Sequence, residues 1–203
     1  MAAGLAPYLA SGAVRMIETT DDAIGDMVEA FVAGLDRAVT QIALAYRNTD
    51  VQRLNRNIRA LLKDTDRLGA DALYRARDSE LAFAADDRVL FLETAKLGAV
   101  QVDNGALGTV VSAARDALTV QLDSGVTLSI TPETYAAVSH GYAATIHKSQ
   151  GATVDTALVL VTSGMDRHKA YVAFSRHRRC LAIYAPQDQL RGCLLYTSDA
   201  ADE

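Results

Sequence analysis

The sequence predicts an α/β fold, a parallel sheet with flanking helices, that is interrupted by a small all-β segment. The α/β prediction depends on a short apolar run, Gln41–Tyr46, which polar residues and then a helical apolar stripe follow. The same alternation of strand and helix returns after residue 145. Between them, in residues 86–130, turn signals divide several short apolar runs, which is typical of antiparallel strands.

Two helices are predicted in the first part of the chain. Asp21 and Asp22 can cap the first helix. Its apolar residues recur every three or four positions, at Ile24, Val28, Phe31 and Leu35. Residues 48–50, Asn-Thr-Asp, supply a second cap after the apolar run. The stripe of the helix that follows consists of Val51, Leu54, Ile58, Leu61 and Leu62.

The later elements divide the chain into predicted domains. Four strands are expected in the middle, at 88–92, 107–112, 117–122 and 126–130, with turns at Asp103-Asn-Gly105 and Asp123-Ser-Gly125. The α/β pattern then gives a strand at 156–161, a helix at about 166–176 and a strand at 180–184. We therefore expect an α/β domain in two parts, at 1–85 and 132–190. Between them lies an inserted barrel at 86–131, and the chain ends in a tail at 191–203.

Composition excludes several classes of protein. The net charge of −5 argues against a generally basic nucleic-acid coat, although a local basic strip is compatible with it. Cys180 and Cys193 fit neither a disulfide framework nor a metal cluster, and they are expected to be free thiols in a reducing cytoplasm. No apolar run reaches the roughly 18 residues of a membrane helix, and no secretory signal is visible. A cytoplasmic location without membrane partners is the expectation.

The string Thr145–Gly151 concentrates groups that bind phosphate. Thr145, His147 and Ser149 can donate to phosphate oxygens, Lys148 brings positive charge, and Gly151 permits close approach of the backbone. In open α/β sheets, ligands gather where strands end. Any one of these residues is more often an ordinary loop residue, but the combination favours a binding function.

A second candidate is Arg176, at the end of the predicted helix 166–176. Ala170, Ala173 and Phe174 form a compact inner face, and a spacing of about 100° per residue turns Arg176 about 200° away from Phe174. An outward arginine can stabilise the transition state of phosphoryl transfer. A lone arginine is more often a solvated surface residue, so its weight depends on the neighbouring string.

These segments resemble conserved motifs of superfamily-one DNA helicases. GYAATIHKSQGATVD (141–155) resembles motif V, AYVAFSRHR (170–178) resembles motif VI, and LAYRNTDVQRLNRNIR (44–59) resembles the opening of their second motor domain. More narrowly, GMDRHKAYVAFSRHR (164–178) is similar to Ti-type conjugative transfer relaxases, the TraA-like proteins. The resemblance extends to about Gln189. It implies a RecA-like second domain of the P-loop NTPase type with an inserted SH3-like barrel.

The resemblance also implies contacts to DNA. In that family the threonine and histidine of motif V, here Thr145 and His147, contact the backbone of single-stranded DNA. Lys148, between the two ends of the motif, is assigned to the same contact. Asn55 lies where the family places a further contact of the second domain, which is a weaker assignment.

The nucleotide contacts implied by the resemblance form a second set. Gln150 and Gly151 would face ATP at the cleft between two motor domains, and Arg47 would contact the nucleotide or DNA. Arg176 would be the arginine finger that reaches the γ-phosphate, as the catalytic residue.

Parts of the family pattern do not occur in this sequence. It has no GxxxxGK[ST] loop and no convincing acidic strand end for Mg²⁺. ATP and Mg²⁺ would then be bound mainly by a missing first motor domain, and the relaxase domain is missing as well. We expect a C-terminal helicase fragment that alone neither hydrolyses ATP nor unwinds DNA. For the residues after Leu190, a frayed natural tail and an artefactual end are both open, and the artefactual end is favoured.

The favoured hypothesis is the helicase domain of a conjugative-transfer relaxase, acting on single-stranded DNA with its missing motor and relaxase domains. Two alternatives stay open. One is the second motor domain of a RecD-like repair helicase, and the other is a non-catalytic module that binds DNA or a partner. The fragment could also have no function as it stands.

Overall fold

A computed structural model of the protein describes Tyr8 and residues 12–37, 39–149 and 153–189. These residues form two compact units. The first contains the described residues up to Leu54 together with 143–149 and 153–189, and the second runs from Asn55 to Tyr142. Within these ranges, no helix combines the length and the apolar character that crossing a bilayer requires.

The described part of the first half of the chain supplies the following elements. In order, they are β1 (Val14–Ile17), α1 (Thr20–Gly34), a 3₁₀ turn (Leu35–Arg37), β2 (Gln41–Ala45), α2 (Asn48–Asp64), β3 (Ala72–Arg75), β4 (Glu80–Phe83), β5 (Arg88–Phe91), β6 (Ala95–Leu97) and β7 (Val100–Val102). The second half supplies β8 (Leu107–Ala114), β9 (Ala117–Leu122), β10 (Thr127–Ile130), β11 (Val138–His140), β12 (Ala143–Thr145), β13 (Val154–Leu160), α3 (Arg167–Phe174) and β14 (His177–Pro186).

The first unit is built on a five-stranded sheet in the order β1-β14-β13-β2-β12. Every neighbouring pair in it is parallel, so the predicted parallel α/β sheet is confirmed. All five residues of β2 are buried, as expected of a strand covered on both faces. Thr145 pairs with Ala45, and Val159 pairs with Leu44. The carboxyl ends of β2, β12 and β13 therefore lie side by side at one edge.

The helix ends of the first unit differ from the sequence prediction. Thr19 caps α1, since its side chain accepts from the Asp22 N–H at 3.1 Å. The predicted cap, Asp21 and Asp22, was wrong by two to three residues, and both aspartates lie in the first turn, where the helix dipole favours them. Asp166 caps α3, which ends at Phe174 rather than near residue 176.

The second unit contains a five-stranded antiparallel sheet in the order β10-β9-β8-β5-β11, with two separate hairpins, β3-β4 and β6-β7. Its core includes three fully buried aromatic rings, Tyr74, Phe83 and Phe91. The four strands predicted in the middle of the chain are present within one or two residues at each end. The hairpins and β11 were missed, because runs of three or four residues carry too little periodicity to be recognised.

A buried carboxylate ties together separate segments of the second unit. Asp87 is fully buried, and it accepts hydrogen bonds from the Arg59 Nε at 3.1 Å, from the Ala84 N–H at 2.7 Å and from the hydroxyl of Tyr142. Burial, together with the charge of Asp87, raises the pKa of Tyr142, so this phenol stays protonated and donates. Asp87 thereby has partners on α2, before β5 and after β11.

Replacing Asp87 with asparagine should cost about 3 kcal/mol of unfolding free energy, because the side chain of Arg59, only 14% exposed, would lose its buried carboxylate partner and keep only the more exposed Asp71. Urea unfolding of Asp87→Asn measures this loss. The matched control is Glu93→Gln, which removes a carboxylate from an exposed pair with Arg77 and should leave the midpoint almost unchanged. Equal midpoints for the two variants would contradict the role given to Asp87.

Candidate functional site

Three loops of the first unit meet at the carboxyl edge of the parallel sheet. Tyr46 and Arg47 follow β2, residues 146–149 follow β12, and residues 161–165 follow β13. The structure thus brings together four of the predicted site residues, namely Arg47, Thr145, His147 and Lys148. This edge is where parallel α/β sheets bind ligands, because strand ends and helix starts present polar backbone groups there.

The turn after β12 divides its residues between structure and surface. The Thr145 hydroxyl accepts from the Lys148 N–H at 3.3 Å, and the Thr145 carbonyl accepts from the Ser149 N–H at 3.0 Å. Ile146 is buried, and its N–H donates to the Ala45 carbonyl at 3.2 Å. His147 and Lys148 are exposed. Thr145, only 7% exposed, therefore shapes the turn that presents these two side chains.

Ser149 does not meet the prediction that it donates to phosphate. Its side chain is buried, and its single O–H donates to the Ile146 carbonyl at 2.9 Å. The sequence suggested a donor because serine hydroxyls are common in phosphate sites. In this turn the hydroxyl satisfies a backbone carbonyl instead, so the outward chemistry comes from His147 and Lys148.

Arg47 follows β2 and is exposed, but its guanidinium has a definite position. Its Nη2 donates to the Ser163 carbonyl at 3.2 Å and to the Ser163 hydroxyl at 2.6 Å. Next to it, the Lys169 ammonium lies 4.7 Å from the centre of the Tyr46 ring. The loop after β2 is thus connected by one side-chain contact to the loop after β13 and by another to α3.

Two buried polar atoms near this edge have no hydrogen-bond partner among the described residues. They are the Thr162 Oγ1, after β13, and the Asp50 Oδ2, in the first turn of α2. Burial raises the pKa of Asp50, against the opposing effect of Arg47 and Arg53. Because buried polar groups are rarely left without a partner, these atoms are candidates for contact with water or a ligand.

Arg176 lies at the opposite edge of the same sheet. It comes directly before β14, and its carbonyl accepts from the Val154 N–H, at the start of β13, at 3.0 Å. The half-buried side chain bends back on α3, with the Nε donating to the Val172 carbonyl and the Nη2 to the Ser175 hydroxyl, each at 3.0 Å. The structure therefore separates Arg176 from the cluster around Arg47.

The expected orientation of Arg176 assumed a helix that continues through it. Because α3 ends at Phe174, the spacing of 100° per residue does not apply to Arg176, and its guanidinium donates to the Val172 carbonyl in the last turn. This contact and the one to the Ser175 hydroxyl use two of its five N–H groups.

The remaining predicted residues lie elsewhere. Asn55 belongs to the second unit and is 9% exposed, and its Oδ1 accepts from the Tyr142 N–H at 3.1 Å. This contact gives Asn55 a structural role. Gln150 and Gly151 lie outside the described residues, as do Cys193 and the predicted tail 191–203.

Sequence reasoning missed Ser163 and Gln189. The Ser163 hydroxyl donates to the Gln189 Oε1 at 2.9 Å while it accepts from Arg47. Neither residue belongs to a recognisable pattern of ligand-binding residues. The one available signal was position, since Ser163 follows β13 as Arg47 follows β2, and parallel strands bring such residues to one edge.

Comparison with known proteins assigns the family. The family described as viral superfamily 1 RNA helicase core domain matches residues 56–185. The probable conjugal transfer protein TraA of Sinorhizobium fredii is 35% identical over 87% of this chain, which spans 16% of that protein. The conjugal transfer protein TraA of Rhizobium radiobacter is 38% identical over 73% of this chain, which spans 14% of that protein.

Among solved structures, the Pif1 helicase from Bacteroides in complex with ADP-AlF3 and ssDNA has a similar fold. The TM-score is 0.52 at 21% sequence identity, and the match covers 79% of this chain and 46% of that one. The resemblance to superfamily-one helicases and TraA-like proteins that was drawn from the motifs is confirmed. The chain belongs to the superfamily 1 helicase family.

Proposed function

We propose that this chain is the second motor domain of a conjugative-transfer relaxase–helicase, in which it grips single-stranded DNA and lends an arginine finger to ATP held by a first motor domain. The observation that carries the proposal is the grouping of Arg47, His147 and Lys148 at the carboxyl edge of a parallel sheet. Homology to TraA supports the assignment to plasmid transfer rather than to RecD-like repair.

The proposed domain arrangement is a RecA-like domain in two parts, residues 1–85 and 132–190. An SH3-like barrel at 86–131 is inserted between them. In this proposal the antiparallel strands β5 and β8–β10 belong to the barrel.

The DNA contacts are assigned to the turn after β12. His147 and Lys148 are exposed on a turn that the buried Thr145 and Ser149 fix, so the backbone that carries them needs little ordering on binding. Contacts of this kind to backbone phosphates are independent of sequence, as translocation along DNA requires. Asn55 is proposed to act indirectly, by holding the backbone at Tyr142.

The nucleotide contacts are assigned to Arg176 and Arg47, with Gln150 and Gly151. Guanidinium groups suit a triphosphate, because their planar N–H donors match phosphate oxygens. Among the described residues no His, Cys, Asp or Glu side chains are grouped as a metal site, so Mg²⁺ is proposed to be bound by the first motor domain. Hydrolysis of ATP would supply the free energy for movement.

The two edges of the sheet offer a physical route for coupling. The loop at Ser163, which holds Arg47, leads through the cap Asp166 into α3, and α3 ends just before Arg176. One short helix therefore connects the carboxyl edge of the sheet, where DNA is proposed to bind, to the proposed arginine finger. In this proposal, closure around ATP moves α3 as a rigid element, and this movement changes the contacts to DNA.

A non-catalytic DNA-binding module is the second candidate. The observation that favours it is the position of the Arg176 guanidinium, whose Nε and Nη2 both donate to groups at the end of its own helix. An arginine that only caps a helix would have no effect on ATP hydrolysis.

Replacing Lys148 with alanine should weaken binding of an oligodeoxythymidylate to the chain and make its salt dependence less steep. Removing one phosphate contact to a single strand reduces the slope of log affinity against log salt by about 0.7. Fluorescence anisotropy over a range of KCl concentrations measures the slope. Arg178→Ala, which removes an exposed cation at the amino edge, is the control and should leave the slope unchanged.

Replacing Arg176 with alanine, in a full-length protein that contains this chain, should reduce DNA-stimulated ATP hydrolysis by about 10³-fold while affinity for single-stranded DNA is retained. Arg178→Ala is the matched control and should keep most of the activity. Unchanged hydrolysis in Arg176→Ala would favour the non-catalytic module. The 203-residue chain, which has no GxxxxGK[ST] loop, should hydrolyse no ATP by itself.

A further inference from the structure

The contact between Arg47 and Ser163 occupies one particular nitrogen of the guanidinium. Both acceptors, the Ser163 carbonyl and the Ser163 hydroxyl, are bonded to Nη2, at 3.2 and 2.6 Å. This nitrogen carries two hydrogens, and both acceptors on Ser163 lie within hydrogen-bond distance of it.

Nη2 is the nitrogen on which bidentate recognition depends. A guanidinium can grip an oxyanion with two parallel bonds through the Nε–Nη2 pair or through the Nη1–Nη2 pair, and Nη2 belongs to both. With Nη2 engaged by Ser163, Arg47 can offer a phosphate only single bonds from Nε or Nη1. In the observed conformation the guanidinium is therefore unavailable for bidentate binding, although the side chain is exposed.

Gln189 fixes Ser163 in the state that holds Arg47. The Gln189 Oε1 accepts from the Ser163 hydroxyl at 2.9 Å and from the Ser163 N–H at 3.3 Å. Because the single hydroxyl hydrogen of serine is directed to Gln189, the lone pairs of the oxygen remain for Arg47. The three residues form a chain in which each bond orients the next.

The backbone around this contact is anchored, so opening it requires only a side-chain rotation. Gly164 has φ +91°, a conformation that favours glycine, and a Cβ placed there would lie 3.3 Å from the Tyr46 ring. The ammonium of Lys169, in α3, lies 4.7 Å from the centre of the same ring. The loops that carry Arg47 and Ser163 therefore stay together when the guanidinium moves.

We propose that Arg47, Ser163 and Gln189 form a latch, in which Ser163 competes with a phosphate ligand for the Nη2 of Arg47. The inference rests on the proposed function for its ligand, a phosphate group of single-stranded DNA or of a nucleotide. Ligand binding displaces Ser163 and frees a bidentate edge of the guanidinium. Ser163 is thus a regulatory positioning residue, and weakening the latch raises the affinity for phosphate.

The first test needs no ligand. Phenylglyoxal modifies the nitrogens of arginine side chains, and mass spectrometry of peptides gives the rate at Arg47 relative to the exposed Arg56. Ser163→Ala should raise this relative rate about three- to tenfold, the effect of one lost hydrogen bond. Gln189→Ala should raise it less, and Ser163→Asp, which adds an ion pair, should lower it. Ser163→Thr, which keeps the hydroxyl, should match the wild type.

Equal relative rates in Ser163→Ala, Ser163→Asp and the wild type would overturn the latch. The rate at Arg59, whose side chain is 14% exposed and paired with Asp87, reports whether a variant has kept its fold. If Ser163→Ala raised the rates at Arg47 and Arg59 together, the effect would be unfolding. The comparison of Ser163→Asp with Ser163→Thr would then decide whether Ser163 holds Arg47.

The second test measures competition with two probes, a fluorescent oligodeoxythymidylate and inorganic tripolyphosphate. Ser163→Ala should bind the probe that uses Arg47 about threefold more tightly, and this gain should disappear in the Arg47→Ala background. The probe whose affinity responds identifies the source of the phosphate. A gain that persists without Arg47, or no gain for either probe, contradicts the competition. If the chain binds neither probe while the modification rates respond, Ser163 does hold Arg47, but the competition with phosphate and the proposed function both fail.

Discussion

Parallel pairing of β2 with both β12 and β13 is the constraint on which the candidate site depends. Thr145 is level with Ala45, and Val159 is level with Leu44, so the loops after the three strands leave the sheet at the same edge. A shift of one residue in either pairing would turn buried side chains to the opposite face. Since every residue of β2 and β12 is buried, such a shift would require the side chains on both faces to repack. The register thus places Arg47 near Ser163.

Within this frame, local hydrogen bonds decide which polar residues are available for binding. Thr145 and Ser149 are polar but buried, and their hydroxyls stabilise the turn that exposes His147 and Lys148. The same division occurs at α3, where Arg176 bonds to the end of its own helix. A side chain that makes local bonds must give them up before it can contact a ligand. The proposed motor therefore combines residues that are ready to bind with residues that must first be released.

The sequence predicted the parallel sheet and the middle strands well, because long buried runs and clear turn signals carry strong periodicity. It also identified His147 and Lys148 as candidates. It failed where individual hydrogen bonds decide the outcome. The Ser149 hydroxyl bonds to the Ile146 carbonyl within the turn, and the cap at Thr19 replaces the expected aspartates. The contact of Ser163 with Arg47 joins residues 116 positions apart, so no local pattern could reveal it.

The central claim is that the carboxyl edge of the parallel sheet binds single-stranded nucleic acid. Photo-crosslinking of the chain to an oligonucleotide containing 5-iodouracil, with mass spectrometry of the crosslinked peptides, tests it directly. The account predicts crosslinks in the peptides that contain Tyr46 and His147, whose rings lie in the loops after β2 and β12. Crosslinks that include the amino-edge segment 176–180 but neither of these two peptides would contradict it.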